Sequence, residues 1–480
     1  MSREFSVARH QHRLIGYWGD GDGERLAQDL ARMLKGDGWV ITQPAASEIL
    51  SLSAAGLPPD DVWVRVDDNC LTLGREAFGR VTLYWLQIEQ MIWFASEFQL
   101  LLPLVESPRV SIPGLYGYSC FSYLPTPLTP IVQIMAVGAG TEQVFQTEGG
   151  NLIQQSAKQL EVDWCESSVQ ITDESVAVGE LQTLLIAAME RQIADLRGET
   201  VGVFLSGGLD SAIVAALLVR AGVKVQAYSL DFGTAGISEY PYAEQVAEYL
   251  KIPLVKVDAT AGRVKQAVLP TMRALDIPFG DGVTVPLYLL NQAASRDVRV
   301  VFNGEGGDQL FAGWTNKPLI AASIYGGSTD FIQPYLQTFH RLYGYSQQSF
   351  QPQMLEQTQF LNPADWISDA LNPTFAPELL HRLRRASLML KGAQNIHPRA
   401  TNLAQRHGLK VRSIFCDPEL TAWTFGISGT LHLQGACEKY ILKRAVENLL
   451  PADIVWRTKR GMGVPLNAWL LQDLWGDLGR

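Results

Sequence analysis

From about Val62 to Glu97 apolar and polar positions alternate in short runs. Val62, Val64 and Val66 interleave with Trp63 and Arg65, Asp67-Asp68-Asn69 is a turn cluster, and the apolar runs that follow are broken at Gly74 and Gly79. A period of two with turn residues between runs predicts a meander of β-hairpins. Pro113 to Pro130, rich in Pro, Gly and aromatic residues, predicts an irregular packed loop. Between roughly Glu142 and Thr172 the periodicity fades around Gly149-Gly150-Asn151, which suggests two domains, 1–150 and 175–480. From Ser175, the apolar residues Val178, Leu181, Leu184, Leu185, Ala188 and Ile193 recur at helical spacing up to Leu196. The stretch VGVFLSGGLDSAIVAALLVRAGVKVQAYSL then reads strand, glycine turn, helix, strand. That is a βαβ unit, and it predicts a parallel sheet with helices on its faces. A helix at Tyr242 to Leu250, a strand at Leu254 to Val257, another helix and a strand at Val298 to Phe302 continue the alternation. From about Phe331 the pattern is mostly helical, including Ala436 to Leu450. The expected fold class is therefore α/β, a β-rich N-terminal part followed by a parallel sheet with a helical C-terminal part.

Composition narrows the function classes. With 480 residues, 47% hydrophobic and 18% charged, the chain can bury a large core and is not a disordered protein. Its net charge of −10 gives no bulk positive field, so nucleic acid is not an expected partner. Apolar stretches such as Leu100 to Val105, broken by Pro103, fall far short of the roughly 18 residues of a membrane span. The N-terminus carries charge early and has no run of signal-peptide length. Five scattered cysteines without a CxxC argue against disulfides or zinc and fit a reducing cytoplasm.

The candidate chemistry begins at Val201 to Ser211. An apolar strand ending at Leu205 delivers the chain to Ser206-Gly207-Gly208, and a helix starts near Asp210. Small residues let backbone N–H groups approach a ligand, and the helix N-terminus adds a positive dipole end, so the turn suits an anion such as phosphate. The plainer alternative is a helix cap with glycines for tight packing. A second strand-to-glycine turn, FNGEGGDQLFAGW from Phe302, carries the acids Glu305 and Asp308.

SGGLDS resembles the signature of the PP-loop ATP pyrophosphatases, which cleave ATP between its α and β phosphates. The resemblance implies that ATP is bound by Leu205, Ser206, Gly207, Gly208, Asp210, Ser211 and Leu230, with Asp210 also holding Mg²⁺. A carboxylate beside phosphates makes sense only with a metal to neutralise the repulsion. The second turn is similar to the SGEGxDExFGGY loop of the asparagine synthetases. That implies Asn303 and Gly304 at the nucleotide, Asp308 as the second Mg²⁺ ligand, and Glu305 as the general base for an incoming amine. Asn303 stands where Ser is usual and Gln309 where Glu is usual. GLKVRSIFCDPEL resembles the family's "GxExRxPFLDxxL" with Arg412 and Asp417 in register, while Lys410 and Ile414 depart from it. CEKYILKRAVENLLPADIVWRTKRGMGVP matches a further family run, in which Lys459 is the lysine at the phosphates and reaction intermediate. Lys443 and Arg444 read equally well as a solvated helix face.

LTLGREAFGRVTLYWLQIEQMIWFASE resembles the glutaminase segment of the same family, with Arg75, Gly79, Leu83, Tyr84, Phe94, Ser96 and Glu97 in place. The expected architecture is thus an Ntn-hydrolase-like remnant on a PP-loop synthetase domain. Family glutaminases use a cysteine in second position, where this chain has Ser2, and the family segments "GHQP" and "NGEIYN" are missing. The N-terminal domain is expected to liberate no ammonia. The resemblance implies an ATP-dependent amide-forming ligase that takes a small-molecule carboxylate and an amine or ammonia, first of all aspartate to asparagine. An alternative within the same architecture is a cyclase of the β-lactam synthetase or lasso-peptide type, with a peptide among its substrates. A non-catalytic scaffold is the third reading, and the sequence leaves a homodimer open.

Overall fold

A computed structural model describes residues 4–21, 28, 30, 34, 39–43, 48–57, 60–67, 69–149, 151–160, 162, 164–196, 198–233, 238–313, 331–459 and 461–470. Ser2 lies outside the described residues.

The alternating N-terminal segments form two antiparallel sheets packed face to face. One runs in the order Val40–Thr42, Glu4–His10, Arg13–Gly19, Met91–Ala95, Tyr84–Ile88, Met135–Ala136. The other runs Asn151–Gln154, Thr141–Glu148, Cys70–Arg75, Val62–Asp67, Ile49–Leu52. Val62, Val64 and Val66 point inward as their period of two requires, and join Trp18, Leu73, Phe94 and Phe145 between the sheets. The hairpins are as expected, but the two do not form one meander: Val62–Asp67 and Cys70–Arg75 pair in one sheet, Tyr84–Ile88 and Met91–Ala95 in the other. The second sheet also extends past residue 150, with Lys158–Gln159 paired to Thr141–Glu148.

The segment from Pro113 departs from expectation. Ile112–Phe121 is a helix, because Ser111 caps it by accepting a bond from Gly114 N and Pro113 sits in the first turn, where it has no helical bond to lose. Its glycines are there for contact: a Cβ on Gly114 would meet Thr129 O at 2.5 Å.

The βαβ reading holds. Five parallel strands run in the order Leu254–Asp258, Lys224–Asp231, Thr200–Phe204, Val300–Phe302, Lys410–Arg412. Succession reverses between Thr200–Phe204 and Val300–Phe302, the switch point at which open α/β sheets form a crevice beyond the strands' carboxyl ends. Leu209–Arg220 buries Ala212, Ile213, Ala215, Ala216 and Leu217 against the sheet. The Glu174–Ile193 helix, capped by Asp173 at Ser175 N and Val176 N, packs on the same core.

The two parts meet through backbone. Arg75 donates to Ala393 O, the His397 imidazole Nδ1 lies 2.7 Å from Phe78 O, and Arg412 Nε donates to Ala55 O while its fork grips Asp195. Gly79, at φ 68°, lies so close to Ala393 that a Cβ would meet its carbonyl oxygen at 2.5 Å. Among the described residues no helix is long and apolar enough to cross a membrane.

Candidate active site

The Thr200–Phe204 strand ends in a turn whose shape its small residues dictate. Gly207 has φ 76°, and a Cβ there would meet Glu239 O at 2.7 Å. Ser211 Oγ reaches back to Ser206 N at 3.1 Å and donates to Gly208 O, closing the turn on the first residues of the Leu209–Arg220 helix. Opposite lies the turn after Val300–Phe302, where Asn303 Oδ1 accepts from Glu305 N and Gly306 takes φ 100°. The two turns touch directly: a Cβ on Gly304 would meet Ser211 N at 2.7 Å, and one on Gly307 would meet the Asp210 carboxylate carbon at 2.5 Å.

All twelve residues expected at the site, Leu205, Ser206, Gly207, Gly208, Asp210, Ser211, Leu230, Asn303, Gly304, Glu305, Asp308 and Lys459, line one cavity of about 340 Å³. Part of the lining is an apolar slot, with Leu230, Phe232, Leu287, Leu290, Leu403 and Val411 from one hydrophobic cluster. Another part is charged. Lys439 Nζ lies 2.5 Å from Asp210 Oδ2 and 2.5 Å from Asp308 Oδ1, with its side chain 5% exposed, and Lys459 pairs with Asp308. Burial would raise Asp308, but the two ammoniums outweigh it and hold the carboxyl well below its usual range. Burial pushes Asp210 up, with Lys439 offsetting only part of it. The Lys459 ammonium is pulled down by burial and then by the charge of Lys439. Glu305, also on the wall, is pushed up by burial, with Arg399 and His397 opposing.

Lys439 escaped the sequence reading. It sits inside the quoted run CEKYILK, at φ 56° directly after the Cys437–Glu438 strand, and the signal for it was charge balance: two converging acids with one lysine assigned leave one cation missing. Lys443 is not on a solvated face. It is 4% exposed and pairs with Glu438 at 3.6 Å, and Glu438 also accepts from Lys459 N. Arg444, by contrast, does lie toward solvent, bonded to Glu174 and Glu447. Arg399 and Asp281, also unforeseen, pair at 3.3 Å on the cavity wall near Glu305.

Comparison with known proteins settles the family. The asparagine synthase family matches residues 180–478. The chain belongs to that family. A Mycobacterium tuberculosis protein named as a glutamine-hydrolyzing asparagine synthetase is 26% identical over 435 residues, covering 83% of this chain and 66% of its own length. Glutamine-hydrolyzing asparagine synthetase 1 of Bacillus subtilis is 22% identical over 449 residues, covering 86% and 68%. The chain thus spans about two thirds of the length of these curated relatives. Among solved structures, the NH₃-dependent NAD synthetase of Campylobacter jejuni matches at 14% identity and a TM-score of 0.23, covering 46% of this chain and 96% of that one. The NMN synthetase of Francisella tularensis matches at 19% and 0.22, covering 31% and 60%. In this asparagine synthase family member, both family turns and both lysines meet in a single cavity.

Proposed function

We propose that this chain is an ATP-dependent amide-forming ligase, which adenylates a carboxylate with release of pyrophosphate and passes the acyl group to an amine. The observation that carries this is the meeting of the two glycine turns, with Asp210, Asp308, Lys439 and Lys459, beside an apolar slot. The slot takes the adenine and the Ser206–Gly208 turn takes the β and γ phosphates at a helix N-terminus. Lys459 and Lys439 face the negative charge that develops on the pyrophosphate as it leaves and on the oxyanion of the amide-forming step. Glu305 accepts the proton of the attacking amine, a role its raised pKa suits.

Asp210 and Asp308 fit a magnesium ion by donor chemistry, since both are hard oxygen donors that converge on one point from glycine turns, where a Cβ on Gly307 would meet the Asp210 carboxylate carbon at 2.5 Å and one on Gly313 would crowd Asp308. Mg²⁺ held there supplies charge neutralisation for the phosphates. Lys439 bridges the same two carboxylates, so a metal held there would share them with this ammonium.

For the acceptor, the first reading is aspartate to asparagine with ammonia. Support comes from Arg399 and Asp281: Arg399 is 3% exposed with Nε unpartnered among the described residues, so the pair offers a cation and an anion to the two ends of an amino acid. A cyclase acting on a larger carboxylate is the second reading, favoured by the missing glutamine-binding segments. Mixing the protein with ATP, Mg²⁺ and a panel of carboxylic acids, with AMP measured, separates them. Aspartate-dependent AMP with ammonium present supports the first, and AMP only with a β-amino acid or peptide supports the second. Incubation with glutamine alone is expected to yield no ammonia, and steady glutamate production would overturn that part of the proposal.

A further inference from the structure

Resting on the reading of the Ser206–Gly208 turn as a pyrophosphate site, we propose that Arg457 is a positioning residue that sets the orientation of the Gly207–Gly208 peptide. In a trans peptide the C=O and N–H point in opposite directions, so a flip exchanges a donor for an acceptor on the ligand side. Between two glycines such a flip is unhindered by any Cβ, and Gly207 already sits at φ 76°. In an anion site the flipped form would present a carbonyl oxygen to phosphate and repel it. Holding one orientation therefore takes a partner at each end of the peptide, a donor for Gly207 O and an acceptor for Gly208 N.

Arg457 is built to do so. Its Nη1 donates to Gly207 O at 3.2 Å, and at the other end of that peptide Gly208 N is directed to Ser206 Oγ at 3.3 Å. The guanidinium is itself immobilised: Nη2 lies 2.6 Å from Glu239 Oε2, and its carbon sits 3.5 Å over the Tyr242 ring. Its side chain is 14% exposed. Bonding the carbonyl, the carboxylate and the ring face together requires a planar fork, which an ammonium lacks. Arg457 thus acts through the turn, two residues away from the phosphate-facing Lys459.

The test uses the full chain and inorganic pyrophosphate as probe. In Arg457→Met, pyrophosphate binding measured by calorimetry is expected to weaken roughly tenfold or more, from loss of a charge-assisted bond to the turn. The KM for ATP in ATP–pyrophosphate exchange rises in parallel while the KM for the carboxylic acid stays unchanged. Arg457→Lys recovers little, and Glu239→Gln shifts both quantities in the same direction by less. A merely structural role would lower kcat and melting temperature without this selective change. Unchanged pyrophosphate binding and ATP KM in Arg457→Met, or in Glu239→Gln if the first variant does not fold, would overturn the proposal. Wild-type protein that binds pyrophosphate but exchanges with no acid tells against the ligase reading while leaving the turn's role measurable.

Discussion

Replacing Lys439 by Met removes one charge and changes little else. The side chain keeps its approximate length, and the backbone at φ 56° is no worse for Met than for Lys. What is lost is the ammonium 2.5 Å from each of two half-buried carboxylates, Asp210 with its side chain 16% exposed and Asp308 with 34%. Deleting one partner of a fully buried pair costs about 3–5 kcal/mol, because the remaining charge is left without compensation, and solvent at the partly exposed Asp308 lowers that here to about 2–4 kcal/mol. Here Asp210 and Asp308 would also face each other with only Lys459 between them. Repulsion would then raise the folded-state pKa of the pair above its unfolded value. Stability from such a raised carboxyl is present at low pH and is lost as pH rises through the folded pKa. Urea unfolding with linear extrapolation should therefore show Lys439→Met about 2–4 kcal/mol less stable than wild type at pH 8 and distinctly less impaired at pH 5. Asp210→Asn added to Lys439→Met should restore part of the loss at pH 8, the signature of a direct coupling. A loss under about 1 kcal/mol at pH 8, or an equal loss at both pH values, would refute the electrostatic description of the site.

Other expectations concern chemistry and packing. Glu305→Gln should keep ATP–pyrophosphate exchange and lose amide formation by roughly 100-fold or more, measured as the two half-reactions on one sample, because the acid acts on the amine. Asp276, which accepts from Phe98 N across the two parts of the chain, is pushed by burial from 3.8 up to about 7. Its ionisation in the fold costs up to about 4 kcal/mol, so wild-type stability should fall between pH 4 and pH 7, and Asp276→Asn should flatten that slope in denaturant unfolding. Gly79→Ala forces a Cβ toward Ala393 at a positive φ, and should lower the melting temperature by several degrees through about 1–3 kcal/mol of strain.

Which features were legible in the sequence follows from how local their causes are. The strand, glycine turn and helix from Val201 to Arg220 are written in one stretch, since the apolar run, the small residues and the period change are contiguous. The second turn carried its acids in the same compact form. Lys439 did not, because its meaning is a bond to Asp210, 229 positions away, and nothing near it says which acid it will meet. Lys443 misled for a similar reason: its helix shows a polar position, and only the hairpin bearing Glu438 turns that position inward. The Ile112–Phe121 helix was hidden by Pro and Gly, which signal loops on average but here serve a first turn and a close contact. That the two hairpins join different sheets depends on the link between Arg75 and Tyr84, in which Arg75 ties the Gly79 and Val81 carbonyls while also holding Val137 O beyond it, a pattern with no period.

ATP–pyrophosphate exchange reports on whether the two turns form an adenylating site. Labelled pyrophosphate should enter ATP when one carboxylic acid of a panel led by aspartate is present with Mg²⁺, and this exchange should vanish in Asp210→Ala protein that still unfolds cooperatively. Absence of exchange with every acid, or exchange that survives in Asp210→Ala, would mean that the two turns do not adenylate.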